Sequence, residues 1–288
     1  MIFEDIKVST QTFTVRSNIL NLDLYLFYTQ ISPCKNKNAE ILYMKYKSLF
    51  KGEEDSKKIK KKNNGGTKKN FLNCVSLVIQ TNNNKSDDKK INVKTFKNGV
   101  FQLTGCKQID HVKTCLGIII EQLNLHPHLF TLTNDDKQFV IYIKSAMRNI
   151  DFAVDFKIDR TKLLEYINKE TPYTIPTVVT ANMGVKIKIP IELDELPILR
   201  IDYNDNLETV EKELLLKDCK DIIEPDPKKR LIKFEKKFIS ISIFQNGKIL
   251  MSCVDETFQR IYFDIIFKLI NKIKNIIINH DIPKKTFI

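Results

Sequence analysis

An α+β protein built from two copies of one unit is the fold the sequence predicts, each copy running strand, helix, four strands, helix. Three observations carry this. First, one hairpin signature occurs twice: Thr95-Phe96-Lys97-Asn98-Gly99-Val100-Phe101-Gln102-Leu103 and Ile243-Phe244-Gln245-Asn246-Gly247-Lys248-Ile249-Leu250-Met251. Each is an apolar strand, Phe-x-Asn-Gly, then a second apolar strand. Asn-Gly at such a junction predicts a type I′ turn, because both residues tolerate positive φ. Second, an amphipathic helix follows each hairpin. Third, a strand and a short helix precede each at comparable distance.

In chain order, residues 6–15 read as a strand and 21–31 as a short helix with Leu22, Tyr25, Leu26 and Thr29 inward. Strands follow at 41–50 and 71–80, then the first hairpin. Residues 109–124 then place Val112, Leu116, Ile119, Ile120 and Leu123 on one helical face, with Asp110 in the first turn. The second copy opens with a strand at 149–158. Asp159 caps a helix reaching about residue 168, and strands at 177–181 and 185–191 follow. After the second hairpin, 255–278 forms a helix whose apolar stripe is Phe258, Ile261, Tyr262, Ile265, Ile266, Leu269, Ile270 and Ile273. Sequential strands in short hairpins give an antiparallel sheet, covered by helices. The copies divide the chain at 1–140 and 141–288. Inserts interrupt them: a lysine cluster around Gly65-Gly66 in 51–70, a polar loop at 81–90, and 194–230 with a helix at 208–223.

Composition narrows the function. With 288 residues and 42% hydrophobic content the chain can bury a substantial core, and no apolar run reaches the length of a membrane span. Forty-seven basic against 35 acidic residues leave a net charge of +12, which suits a polyanionic partner. Lysine, asparagine and isoleucine are all favoured by A/T-rich codons, so base composition supplies part of that charge. The six cysteines form no CxxC pair, and free thiols in a reducing intracellular compartment are expected. No Walker A, GxGxxG, HExxH or GxSxG pattern is present, and acid pairs such as Asp87-Asp88 and Asp135-Asp136 stand in polar turns, so an enzyme is not expected. His126-Pro127-His128 reads as a structural turn, not a metal pair. Neither metal nor cofactor is expected.

The two hairpin-plus-helix blocks resemble the TATA-box-binding proteins. In that family each repeat has Phe, two small or polar residues, Gly, Lys, an apolar strand and Thr-Gly-Ala-Lys, then a long helix. Phe96 through Thr104-Gly105-Cys106-Lys107 follows that pattern closely. Phe244 through Ser252-Cys253-Val254-Asp255 departs from it after the strand. Arg148-Asn149-Ile150 resembles the Gln-Asn-Ile that opens the family's second repeat. Size, inserts and composition resemble the divergent versions of large DNA viruses. The resemblance implies a saddle: a curved ten-stranded antiparallel sheet with helices on its convex side. The concave face would lie in the minor groove of A/T-rich DNA, and phenylalanine pairs would kink the duplex.

Carried over residue by residue, the resemblance implies wedges at Phe96 and Phe244. Their partners would be Leu72 (or Phe71) and Met183 (or Asn182). It implies groove-facing positions at Asn149, Thr104, Ser252, Gln102 and Leu250, with Ile6 as the counterpart of Asn149. Asp151 falls where a valine is expected and opposes DNA. Lys97, Lys107 and Lys248 are placed for phosphates; the lysines at 57–69 read as a solvated loop. The function so implied is a general initiation factor that binds promoter DNA and recruits RNA polymerase and its factors, in a nucleus, viral factory or virion. The alternative is a protein-interaction scaffold that keeps the saddle without kinking DNA. A single-strand binder would want several aromatics among basic residues on one sheet face.

Overall fold

The computed structural model describes residues 2–53, 73–82, 88–133, 138–170, 184–204, 206–234 and 237–278. A single 3₁₀ turn, Phe3–Asp5, leads into β1 (Val8–Ser17), β2 (Ile19–Leu22) and α1 (Leu24–Gln30). Then come β3 (Ala39–Tyr46), β4 (Leu49–Gly52), β5 (Cys74–Thr81), β6 (Lys90–Phe96), β7 (Val100–Cys106) and α2 (Ile109–Leu125). After β8 (Phe130–Leu132), the long β9 (Val140–Ala153) enters the second half, followed by α3 (Arg160–Glu170) and β10 (Val185–Ile191). β11 (Pro197–Tyr203), β12 (Thr209–Leu215), α4 (Lys220–Ile223) and α5 (Pro227–Phe234) precede β13 (Lys237–Ile243), β14 (Lys248–Cys253), α6 (Glu256–Lys272) and α7 (Lys274–Ile277). The architecture is α+β with antiparallel pairing throughout the strand pairs described. No described helix is long and apolar enough to cross a membrane.

The chain forms two compact units. One comprises Gln11–Ser145 and Pro197–Cys219; the other comprises Met1–Thr10, Ala146–Leu196 and Lys220–Ile288. In the first, β4, β3, β5, β6, β7 and β1 follow one another across the sheet. Helices α1 and α2 pack on one side of it, against β3, β5 and β7. All five predicted stripe residues of α2 are buried there, with Cys115 and Ile118, and they meet Phe13, Val15, Leu77, Val93, Phe101 and Leu103 from the strands. In the second unit the order is β10, β13, β14, β9, with α6 on β14 and α3 on β10. Asp159 caps α3 as expected, its Oδ1 accepting from the amides of Thr161 and Lys162.

Several elements differ from the sequence expectations. Residues 41–50 make a hairpin, not one strand: Lys47 takes φ of 54° and the chain reverses between Tyr46 and Leu49. The two Asn-Gly turns are not type I′, since only the glycines have positive φ, +69° at Gly99 and +84° at Gly247. Each loop ends on a left-handed glycine, whose amide returns to the carbonyl of Phe96 or Phe244. Helix α1 buries Phe27 and Tyr28, while Tyr25 is 55% exposed. Helix α6 buries Ile266 and Ile270 of its expected stripe, but also Gln259 and Phe263, which lie outside it, and leaves Ile261 exposed. β9 begins at Val140, because residues 140–148 alternate too little to show a period of two. The helix expected at 208–223 is instead β12, a 3₁₀ turn and the short α4. β11 pairs with both β12 and the start of β9, so this part of the insert enlarges the first unit's sheet. The strand expected at 177–181 lies outside the described residues.

Candidate nucleic-acid interface

In both units the strands alternate between the helix-covered side and an open side. The pairing registers fix which residues share the open side. In the first unit one row crosses the sheet as Thr14, Gln102, Lys94, Ser76, Lys45 and Phe50. Its neighbour runs Thr12, Thr104, Asn92, Val78 and Tyr43. Phe96 ends β6 on the same side, opposite Cys74. In the second unit the rows are Lys186, Ser242, Leu250, Asp151 and Lys188, Ser240, Ser252, Asn149. Phe244 continues the alternation just past β13.

Each unit therefore brings its own set of sequence-expected residues onto one open side: Phe96, Gln102 and Thr104 in one, Phe244, Leu250, Ser252 and Asn149 in the other. The registers also correct one correspondence. Asn149 faces Ser252, and the residue facing Thr104 is Thr12, so Thr12 stands where Asn149 stands. Ile6 precedes β1 and cannot be its counterpart. Lys97 and Lys107 are exposed, beyond the ends of β6 and β7. Leu72, Phe71, Asn182, Met183 and the lysines at 57–69 lie outside the described residues.

Two local features alter the electrostatics. Asp151, the acid that argued against this side, is met by Lys248 at 3.4 Å across the β9–β14 pair. Lys248 is thus engaged with a carboxylate rather than held out alone. The side-chain oxygen of Asn149 is buried and has no hydrogen-bond partner among the described residues, and its backbone carbonyl accepts from Ser9 Oγ at 3.0 Å. An unpaired buried acceptor costs about 1–3 kcal/mol.

Behind this side, Arg148 points toward α6. It is buried, hydrogen-bonds Gln259 and pairs with Glu256 at 2.9 Å. Burial holds its pKa below the usual arginine range, and Glu256 opposes that shift. Gln259 donates in turn to the carbonyls of Arg148 and Met251. Sequence reasoning missed Gln259, since a polar residue on a helix reads as solvated. It also missed Lys45, Lys94, Lys186 and Lys188, whose place on the open side depends on register. Lys45 Nζ lies 5.0 Å and 5.2 Å from the Tyr43 and Phe50 ring centroids. The expected turn at His126-Pro127-His128 forms, and His128 Nε2 meets Gln30 Oε1 at 2.6 Å.

No protein-family model matches the chain. A TATA-box-binding protein-like protein of Acanthamoeba polyphaga mimivirus is 34% identical over 108 residues, covering 35% of this chain and 29% of that protein. Uncharacterized protein 335L of Invertebrate iridescent virus 6 is 23% identical over 304 residues, covering 95% of this chain and 86% of that one. Among solved structures, Methanococcus jannaschii TBP is 14% identical with a TM-score of 0.44, covering 93% of this chain and 98% of the archaeal one. The class is that of α+β proteins carrying one unit twice. The likeness to the TATA-box-binding protein-like protein of the mimivirus extends over 35% of this chain. It spans less than a third of that relative's length.

Proposed function

We infer that the chain is a transcription initiation factor whose open sheet sides bind the minor groove of A/T-rich promoter DNA. The observation that carries this is the repetition: both units put a phenylalanine at the end of one hairpin strand and a small hydroxyl, Thr104 or Ser252, on the next. A·T pairs offer only acceptors in the minor groove, and hydroxyl, amide and lysine donors complement them. Phe96 and Phe244 would wedge between base steps, unstacking them for a few kcal/mol that the bent duplex regains in contact area. Lys97 and Lys107 would take phosphates. Helices on the covered side would be left to RNA polymerase and other initiation factors. No cofactor is required, and a nuclear or virus-factory location follows from the partner.

The alternative, a scaffold of the same fold that does not bend DNA, draws on the polar rows around Gln102, Lys94 and Asp151. End-to-end energy transfer on a labelled A/T-rich duplex separates the two. The inferred function expects bending by the wild type, lost in Phe96→Ala and Phe244→Ala. Binding without bending, or normal bending by both variants, supports the scaffold. Binding that ignores salt would remove DNA altogether, because each neutralised phosphate contributes about −0.9 to the slope of log affinity against log salt.

A further inference from the structure

Within the first unit, the start of α1, the β3–β4 turn and the β6–β7 turn frame a pocket of about 870 Å³. Its side chains include Tyr25, Tyr46, Lys47, Lys97, Asn21 and Asn73. The sequence expectation set Tyr25 in the core, yet more than half of it is exposed, into this space. The Tyr25 and Tyr46 ring centroids are 6.5 Å apart and inclined by 52°, giving an angled aromatic wall. Lys47 Nζ sits 5.1 Å from the Tyr46 ring centroid. Its backbone is held left-handed, a conformation that costs lysine free energy and recurs at binding sites. Lys97 is anchored by its own carbonyl, which accepts from the Leu22 amide at 2.8 Å.

Among the described residues lining the pocket the one acid is Asp23, which already accepts from the amides of Tyr25 and Leu26 with the same carboxylate oxygen, each at 2.9 Å. Two lysines, two tyrosines and two asparagines are thus among the described residues that line this open cavity. That combination matches a ligand with a flat ring at one end and a phosphate at the other.

We propose that this pocket binds a nucleotide, its phosphate held by Lys47 and Lys97 and its base laid on the Tyr25–Tyr46 wall. The nucleotide is either free or an unpaired unit of a DNA strand. Phe96 directly precedes Lys97, so a strand parted at Phe96 would end beside the pocket. Binding of the free nucleotide does not depend on the inferred promoter function.

Isothermal titration with dAMP and with a short oligodeoxyadenosine tests the site, on wild type, Tyr25→Ala, Tyr25→Phe and the double variant Lys47→Ala/Lys97→Ala. The expected result is saturable binding, weakened roughly tenfold in Tyr25→Ala, weakened in the lysine variant, and kept in Tyr25→Phe. Sensitivity of both probes, with the oligonucleotide tighter, assigns the site to DNA; sensitivity of dAMP alone assigns it to free nucleotide. The proposal is overturned if neither probe binds wild type, or if both bind every variant equally. Competition by inorganic phosphate at the same concentration as dAMP would also overturn it, since the ring would then contribute nothing. Wild type that bends duplex DNA but fails these titrations loses this proposal only.

Discussion

Gln259→Met removes three hydrogen bonds from the second unit while nearly conserving side-chain volume. Gln259 is fully buried; it accepts from the Arg148 guanidinium and donates to the carbonyls of Arg148, at 3.2 Å, and Met251, at 3.1 Å. The lost bond to the charged guanidinium costs about 1.5–3 kcal/mol, and the two carbonyl bonds about 0.5–1 kcal/mol each. Arg148 keeps Glu256, so the penalty stops short of an unpaired buried charge. About 3 kcal/mol in all corresponds to roughly a hundredfold in the folding equilibrium. In urea, followed by far-ultraviolet circular dichroism, the midpoint should fall by about 1 M or more. Hydrogen exchange read by mass spectrometry should show the loss of protection centred on α6 and β14. A midpoint shift below about 0.3 M, or protection unchanged in α6, would refute the claim that Gln259 fastens this helix to β9 and β14.

Other perturbations follow from the same geometry. Gly247→Ala should destabilise by at least about 2 kcal/mol in thermal unfolding, because φ is +84° and the new Cβ would stand 2.6 Å from the Phe156 carbonyl oxygen. Gly99→Ala meets the Ile19 carbonyl at 2.5 Å and should behave alike. Asp151→Asn releases Lys248 and removes the acid from the open side. Fluorescence anisotropy should then report duplex affinity raised by about threefold at low salt, with a smaller gain at high salt. Of the six cysteines, five are buried. Burial pushes Cys106 up to about 12 and Cys115 well above the ordinary thiol range. Thiolate is the reactive form, so at pH 8 iodoacetamide should label neither in the native protein, while half-buried Cys34 reacts first. Mass spectrometry of labelled peptides gives the order, and early labelling of Cys106 or Cys115 would contradict it.

What was legible in the sequence was whatever local chemistry decides. The Phe-x-Asn-Gly loops announce themselves through glycine, and α2 through five apolar residues at helical spacing. β10 is bounded as expected, because its lysines alternate with isoleucines. The failures occur where neighbours decide. Tyr25 and Phe27 are equally apolar letters, and only the sheet beneath α1 selects which is buried. Ile261 fits an apolar stripe by spacing alone, but α6 buries Phe263 and Ile266 and leaves Ile261 in water. β12 carries Glu211, Lys212 and Glu213 in succession and holds as a strand because β11 offers it a ladder. The open-side positions at Phe96, Thr104 and Ser252 came from family resemblance, whereas Asp151's pairing with Lys248 and the exchange of Ile6 for Thr12 needed the register.

β9 enters one compact unit through residues up to Ser145 and the other from Ala146 onward, and Pro197–Cys219 returns to the first. The duplication written along the sequence is therefore not a pair of separable parts. A cut between residues 140 and 141 would deprive the first unit of Ile141 and Ile143, both in its core, and of the β11–β12 hairpin. Neither half could be lost, swapped or expressed alone without exposing the interior of one unit. Changes in either repeat are thereby held to a common requirement, that the interleaved chain still closes both cores.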